Sequence, residues 1–153
     1  MSLRNSIKKA VLSGSGMPIS IQRVITSSNI TVAAKDFSAA ATGRIYIYDV
    51  IFKTDATGLG GATNFQITTT NARGQSIVLA EAVANLGANK TVTIQNPKAQ
   101  TSLAGGAVET VLEAGAKLQY NGTVAAGTGA GTIEVTIIGE IIDAGATLQV
   151  SNA

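Results

Sequence analysis

Nine carboxylates and eleven cationic side chains form the reactive inventory of this chain, which has no histidine and no cysteine among its 153 residues. Ser-His-Asp and Cys-His nucleophilic sites, zinc sites of the usual ligand sets, Cys-ligated iron–sulfur clusters and any disulfide framework are therefore excluded. The acid–base chemistry that remains needs two carboxylates across a cleft, one of them with a raised pKa, and nothing in the sequence selects such a pair. Glu113 and Asp143 head two similar turn sequences and are expected to be solvated. Asp49 interrupts the apolar run Ile45-Tyr46-Ile47-Tyr48-Asp49-Val50-Ile51-Phe52, where a carboxylate must either pair with a base or reach water at a strand edge. No enzyme, cofactor, metal or small-molecule substrate is expected.

Binding motifs fare similarly. Gly127-Thr128-Gly129-Ala130-Gly131 has the look of a phosphate-cradling loop, but that role needs a helix N-terminus after the glycines, and a Thr/Ile/Val strand follows instead. Three Asn-x-Thr sequons, at Asn29, Asn89 and Asn121, are what chance gives in a Thr-rich chain. Nucleic-acid binding calls for a basic patch interleaved with aromatics, and no aromatic precedes Phe37. Three tyrosines, three phenylalanines and no tryptophan also argue against a carbohydrate platform.

The elements that must position these residues are strands. Ile133, Val135 and Ile137 alternate with Thr132, Glu134 and Thr136, a period of two that marks a half-buried strand. Similar runs fall at about 19–25, 29–33, 44–53, 64–70, 76–83, 91–95, 107–112, 117–121, 132–142 and 146–150, a rhythm that predicts an antiparallel sandwich or barrel, of which the β-sandwich is preferred. Residues 77 to 86 contain good helix formers and could be read as helix, but are taken as strand, with Gly87 to Lys90 as a hairpin turn. Asn121-Gly122 predicts a tight hairpin with positive φ. Leu112-Glu-Ala-Gly-Ala-Lys-Leu-Gln-Tyr120 is echoed by Ile142-Asp-Ala-Gly-Ala-Thr-Leu-Gln-Val150, and more weakly by Leu86-Gly-Ala-Asn-Lys-Thr-Val-Thr-Ile94, as a turn followed by a strand.

Charge is sparse and uneven. Charged residues make up 13% of the chain, about half the share of an average soluble domain. Residues 1 to 35 hold Arg4, Lys8, Lys9, Arg23 and Lys35 with no acid, so a basic arm over residues 1 to 18 precedes a mildly acidic body over residues 19 to 153. The mean hydropathy of +0.29 is spread over runs far shorter than the eighteen or so residues of a membrane helix, and the apolar stretch after Lys9 is too short for an export signal. A fold of this mass exposes roughly 7,000 Å², which twenty charged side chains cover thinly. Neutral surface is left for copies of the chain or a scaffold. Counting by twos along residues 44–53 puts Tyr46, Tyr48 and Phe52 on one face, and one face of that strand is expected to meet another subunit.

The basic arm followed by short Gly/Ala/Thr-rich strands, with IYIYDVIFKTDATGLGGATNFQI over residues 45–67, VLEAGAKLQYNGTV over 111–124 and GTIEVTIIGEII over 131–142, resembles the small decoration, or cement, proteins on the capsids of tailed bacteriophages. The resemblance covers roughly residues 19 to 150. It implies a jelly-roll-like sandwich and a structural role on the outer capsid surface, at capsomer junctions. It also implies self-association, as trimers or dimers with the trimer preferred, and contact with a major capsid protein. Virion location and assembly without export, membrane or nucleic acid follow from the same reading. Its interface residues are Arg4, Lys8 and Lys9 in the arm, drawn to an acidic neighbour, and Tyr46, Tyr48 and Phe52 in the body. A pilus, fibre or surface-layer subunit assembling by strand donation is the alternative class, and a carboxylate-only hydrolase ranks third.

Overall fold

The computed structural model describes residues 16–59, 64–72, 79–82, 85–95, 111–122 and 130–152. Nine strands are formed among them: β1 Pro18–Thr26, β2 Lys35–Asp36, β3 Ile45–Thr54, β4 Asn64–Thr69, β5 Leu79–Ala82, β6 Thr91–Gln95, β7 Val111–Leu112, β8 Leu118–Gly122 and β9 Thr132–Ile141. Every pairing between them is antiparallel. Sheet A runs β1-β9-β3-β6, with β7 also beside β3, and sheet B runs β2-β8-β4-β5. The all-β antiparallel fold expected from the period-two runs is the fold observed.

The alternation that marks β9 as a strand also aims its side chains. Ile133, Val135 and Ile137 are buried, while Thr132, Glu134 and Thr136 lie on the outer side. Ile45, Ile47, Val50 and Phe52 of β3 meet Phe65 and Ile67 of β4 and Leu118 of β8 in one continuous core. The Phe52 and Phe65 rings cross between the sheets edge to face, with centroids 5.3 Å apart, the arrangement that the ring quadrupoles favour.

Several local expectations give way to tertiary pairing. Asn121-Gly122 is not a turn: both residues lie in β8, opposite Gln66 and Phe65 of β4. The expected strand at 29–33 does not form: Asn29 ends a 3-10 turn over Ser27–Asn29, residues 30–33 are not strand, and the next strand is β2. Residues 146–150 form no ladder and hold only the bridge between Val150 and Ser38. The Gly87–Lys90 turn joins no hairpin, because β5 belongs to sheet B and β6 to sheet A. Residues 79–82 are strand, as read, rather than helix. The glycine run at 127–131 falls largely outside the described residues, as does the arm through residue 15.

Candidate interaction surface

The outer face of sheet A is built from the residues that alternate away from the core. Directly opposed residues share a face, so the register gives three cross-strand rows. Ser20, Ile138 and Asp49 form one, Gln22, Thr136, Ile51 and Thr93 the next, and Val24, Glu134, Lys53 and Thr91 the third. Tyr46 faces Glu140 across β9 and Val111 across β7. Tyr46 and Tyr48 are half-buried, their rings 6.2 Å apart.

A β-bulge decides which aromatics belong here. Ile47 pairs with Gly139, but Asp49, not Tyr48, pairs with Ile138, so Tyr48 and Asp49 together oppose one residue. The extra residue inverts the inward phase of β3, from odd positions at Ile45 and Ile47 to even positions at Val50 and Phe52. Phe52 is 0% exposed and cannot share a contact surface with Tyr46 and Tyr48, which corrects its placement by counting. Ile51 takes an outer position instead. The bulge also accounts for Asp49, which sits partly exposed in a central strand rather than at an edge. Arg4, Lys8 and Lys9 lie outside the described residues.

Other charges hold the frame around this face. Arg23 alternates inward from β1, donates from Nη1 to the Asp36 carbonyl at 2.7 Å and lies 5.7 Å from the Tyr120 ring centroid. It thereby closes the open side between β1 and β2, a structural use that grouping it with the arm cations misses. The Asp36 carboxylate accepts from Lys117 Nζ at 2.6 Å and Gln119 Nε2 at 2.9 Å, and the Lys117 bond, then Gln119, holds its pKa below the ordinary value. Arg44 grips Asp143 through Nε and Nη2, the latter at 2.7 Å, while its backbone N–H donates to Asp143 Oδ2. That grip lowers the Asp143 pKa to about 2.

At the far end of the sandwich, Asp55 accepts from the backbone N–H groups of Thr57, Gly58 and Thr132 and from the Thr132 hydroxyl. The Gly58 N–H is the largest cause of its lowered pKa. Glycine is required beside it: a Cβ on Gly131 would stand 1.7 Å from the Gly58 carbonyl oxygen. A shallow cleft of about 160 Å³ opens there, lined by Val24, Lys53, Thr54, Asp55, Thr132 and Glu134. The Asp55 oxygens at this cleft are already engaged by four donors. Among the described residues no group of three metal-ligating side chains occurs, and no helix is long and apolar enough to cross a membrane.

No family model matches the chain, and no curated protein matches it. Among solved structures, the chain is similar to one titled "Capsid of Ralstonia phage GP4", at 15% identity and a TM-score of 0.48, over 83% of this chain and 86% of that one. It is also similar to one titled "Cyanophage Pam1 capsid asymmetric unit", at 15% identity and a TM-score of 0.42, over the same shares of the two chains.

Proposed function

We propose that this chain is a structural virion protein, a decoration or cement subunit that binds the outer surface of a bacteriophage capsid and stabilises capsomer junctions. The observation that carries the reading is the strand order. With the two-residue β7 set aside, β1-β9-β3-β6 and β2-β8-β4-β5 follow the two interleaved Greek keys of a jelly roll, an architecture used by capsid domains, lectins and cupins. The inference is by analogy of architecture, which alone does not choose among those uses.

The side chains favour the capsid use. Imidazole is the usual protein ligand for catalytic transition metals, and the chain has no histidine. Of six aromatic residues, Phe37, Phe52, Phe65 and Tyr120 are buried, leaving Tyr46 and Tyr48 as the aromatic surface, too little for a stacked sugar platform. A surface of 7777 Å² with 13% charged residues in the chain suits contact with other protein subunits. In this reading Tyr46 and Tyr48 mediate self-association, as the trimer the resemblance implies, and Arg4, Lys8 and Lys9 attract an acidic region of the shell.

Co-sedimentation with expanded phage heads stripped of their outer proteins tests the reading. The bound amount is expected to saturate at a fixed ratio to shell subunits and to fall as salt rises, since charges on exposed arms are screened within about 8 Å at physiological ionic strength. A chain that stays in the supernatant at every salt concentration overturns it.

A further inference from the structure

The strand β1 has one partnered edge and one open edge. Its pairing with β9 follows a single register from Pro18↔Glu140 to Thr26↔Thr132, and the Ser27 N–H donates to the Gly131 carbonyl at 2.7 Å at the end of the same ladder. Because antiparallel strands alternate the direction of their backbone groups, Ile19, Ile21, Arg23 and Ile25 direct their N–H and C=O toward β9. Ser20, Gln22, Val24 and Thr26 direct theirs the other way. Among the described residues no strand meets those groups, and β1 is nine residues long.

Exposed strand edges of this length template pairing with another chain unless they are blocked. Charge, the commonest block, is missing from the outer row, and its one proline, Pro18, stands at the end of the strand: Pro18, Ser20, Gln22, Val24 and Thr26 carry no charge, and all are exposed. Val24 is 59% exposed. The charge on β1, Arg23, is turned inward and bonded within its own subunit.

We infer that the open edge of β1 binds β1 of a second copy, antiparallel, across a two-fold axis at Gln22 that stands perpendicular to sheet A. This surface is distinct from the Tyr46 and Tyr48 face and does not rest on the capsid reading. The register follows from the strand itself. Placing Gln22 opposite its own copy overlaps all nine residues and sends each outward N–H to a carbonyl: Ser20 to Val24, Gln22 to Gln22, Val24 to Ser20 and Thr26 to Pro18 of the second copy. Pro18, which has no N–H to give, then lies at the end of the ladder, where only the Thr26 carbonyl goes without a donor and water replaces it. A two-fold axis requires a self-complementary surface, and an uncharged row pairs with its own copy without repulsion. The other sheet edges among the described residues are shorter, at two residues in β2, four in β5, five in β6 and two in β7.

The absence of cysteine makes the test clean. In the full chain, Gln22→Cys puts two thiols on a hydrogen-bonded pair with Cα atoms about 5.5 Å apart, within the disulfide range of about 4.4–6.8 Å. Thr136→Cys, on the same face of β9, puts them about 14 Å apart at a strand spacing near 4.8 Å. Under mild oxidation the Gln22→Cys protein is expected to cross-link about tenfold faster than the Thr136→Cys protein, as proximity raises the effective thiol concentration. Hydrogen exchange on the unaltered protein is the second measurement and needs no variant to fold. The Ser20, Gln22, Val24 and Thr26 amides are expected to be protected at high concentration and to lose that protection on dilution, while β9 amides are unchanged. Amides that exchange at the same rate at all concentrations overturn the inference. So does protection without preferential cross-linking in folded Gln22→Cys protein, which would assign the edge to a different strand.

Discussion

The two echoed segments, residues 112–120 and 142–150, begin alike and end differently. In each, the glycine takes positive φ, 82° at Gly115 and 79° at Gly145, and the alanine after it donates back to the acid's carbonyl, Ala116 to Glu113 at 3.1 Å and Ala146 to Asp143 at 3.0 Å. Each acid side chain also accepts a backbone N–H from a neighbouring segment, from Ala72 at Glu113 and from Arg44 at Asp143. Even the weaker copy keeps the conformation, since Asn89, at the position of the two glycines, has a φ of 54°. Residues 37–42 strap both segments: Phe37 and Ser38 donate to Leu118, Ala41 to Ala116, Ala39 to Gln149 and Thr42 to Thr147. Beyond the strap, residues 118–122 find a second neighbour in β4 and become β8. Residues 146–149 find none among the described residues and form no strand. The turn is a property of the local sequence; the strand here is a property of the ladder that β4 offers.

The sharpest way to break this comparison is to cut the apolar anchor of each segment. Leu118 is 0% exposed and Leu148 6%, and replacing a buried Leu by Ala costs about 2–5 kcal/mol. Leu118→Ala is expected near the top of that range, because two ladders prevent the site from collapsing, and Leu148→Ala near the bottom. Urea midpoints read the difference, and equal or reversed costs would mean the second neighbour adds no rigidity. A smaller effect tests what the segments share. A Cβ at Gly115 or Gly145 meets nothing within 4 Å, so Gly115→Ala and Gly145→Ala should each cost only the left-handed backbone penalty of about 1–2 kcal/mol. The same measurement is expected to give matching values, with Asn at either site recovering part of the loss.

The smallest effect separates the two acids. Asp143 has its pKa lowered to about 2 by Arg44, so its contribution to stability is complete above the ordinary carboxylate value of 3.8. It is lost as pH falls from there through about 2. The side chains are 57% and 39% exposed, so solvent and salt screen the pair. Asp143→Asn should shrink the loss of stability between neutral pH and pH about 3 at low salt, the window set by a lowered carboxylate pKa, and the shrinkage should fade in high salt. An unchanged acid profile would remove the Arg44 grip from the account of this turn.

The echo was legible in the sequence because a turn is written in adjacent residues. So were β9 and β1, whose alternation is interrupted only at Ile138-Gly139 and at Arg23-Val24. The phase of β3 was not, because its bulge arises from how Tyr48 and Asp49 meet one residue of β9, and no count along β3 contains that partner. Asn121-Gly122 failed for the same reason. The pair favours a hairpin locally, but ladder bonds to β4 reward extension more. Of the residues that counting put on one face, Tyr46 and Tyr48 do lie on the outer side of β3, and Phe52 falls in the core beyond the bulge. Arg23 was grouped with the arm cations because charge counting does not see which way a strand residue points.

The seat of β9 between β1 and β3 has a consequence for how the molecule comes into being. Among the described residues, the first strand and the third are joined in sheet A only through β9, the last of those strands in sequence. While the polypeptide is being made, Ile21 and Ile25 on one side and Ile47 and Val50 on the other have no middle strand to hold them together. Pairings this distant in sequence are slow to form, and chains awaiting them expose apolar surface. Sheet A therefore cannot close until β9 has been synthesised, and a ribosome-bound fragment ending before residue 132 has no completed sandwich to fold into.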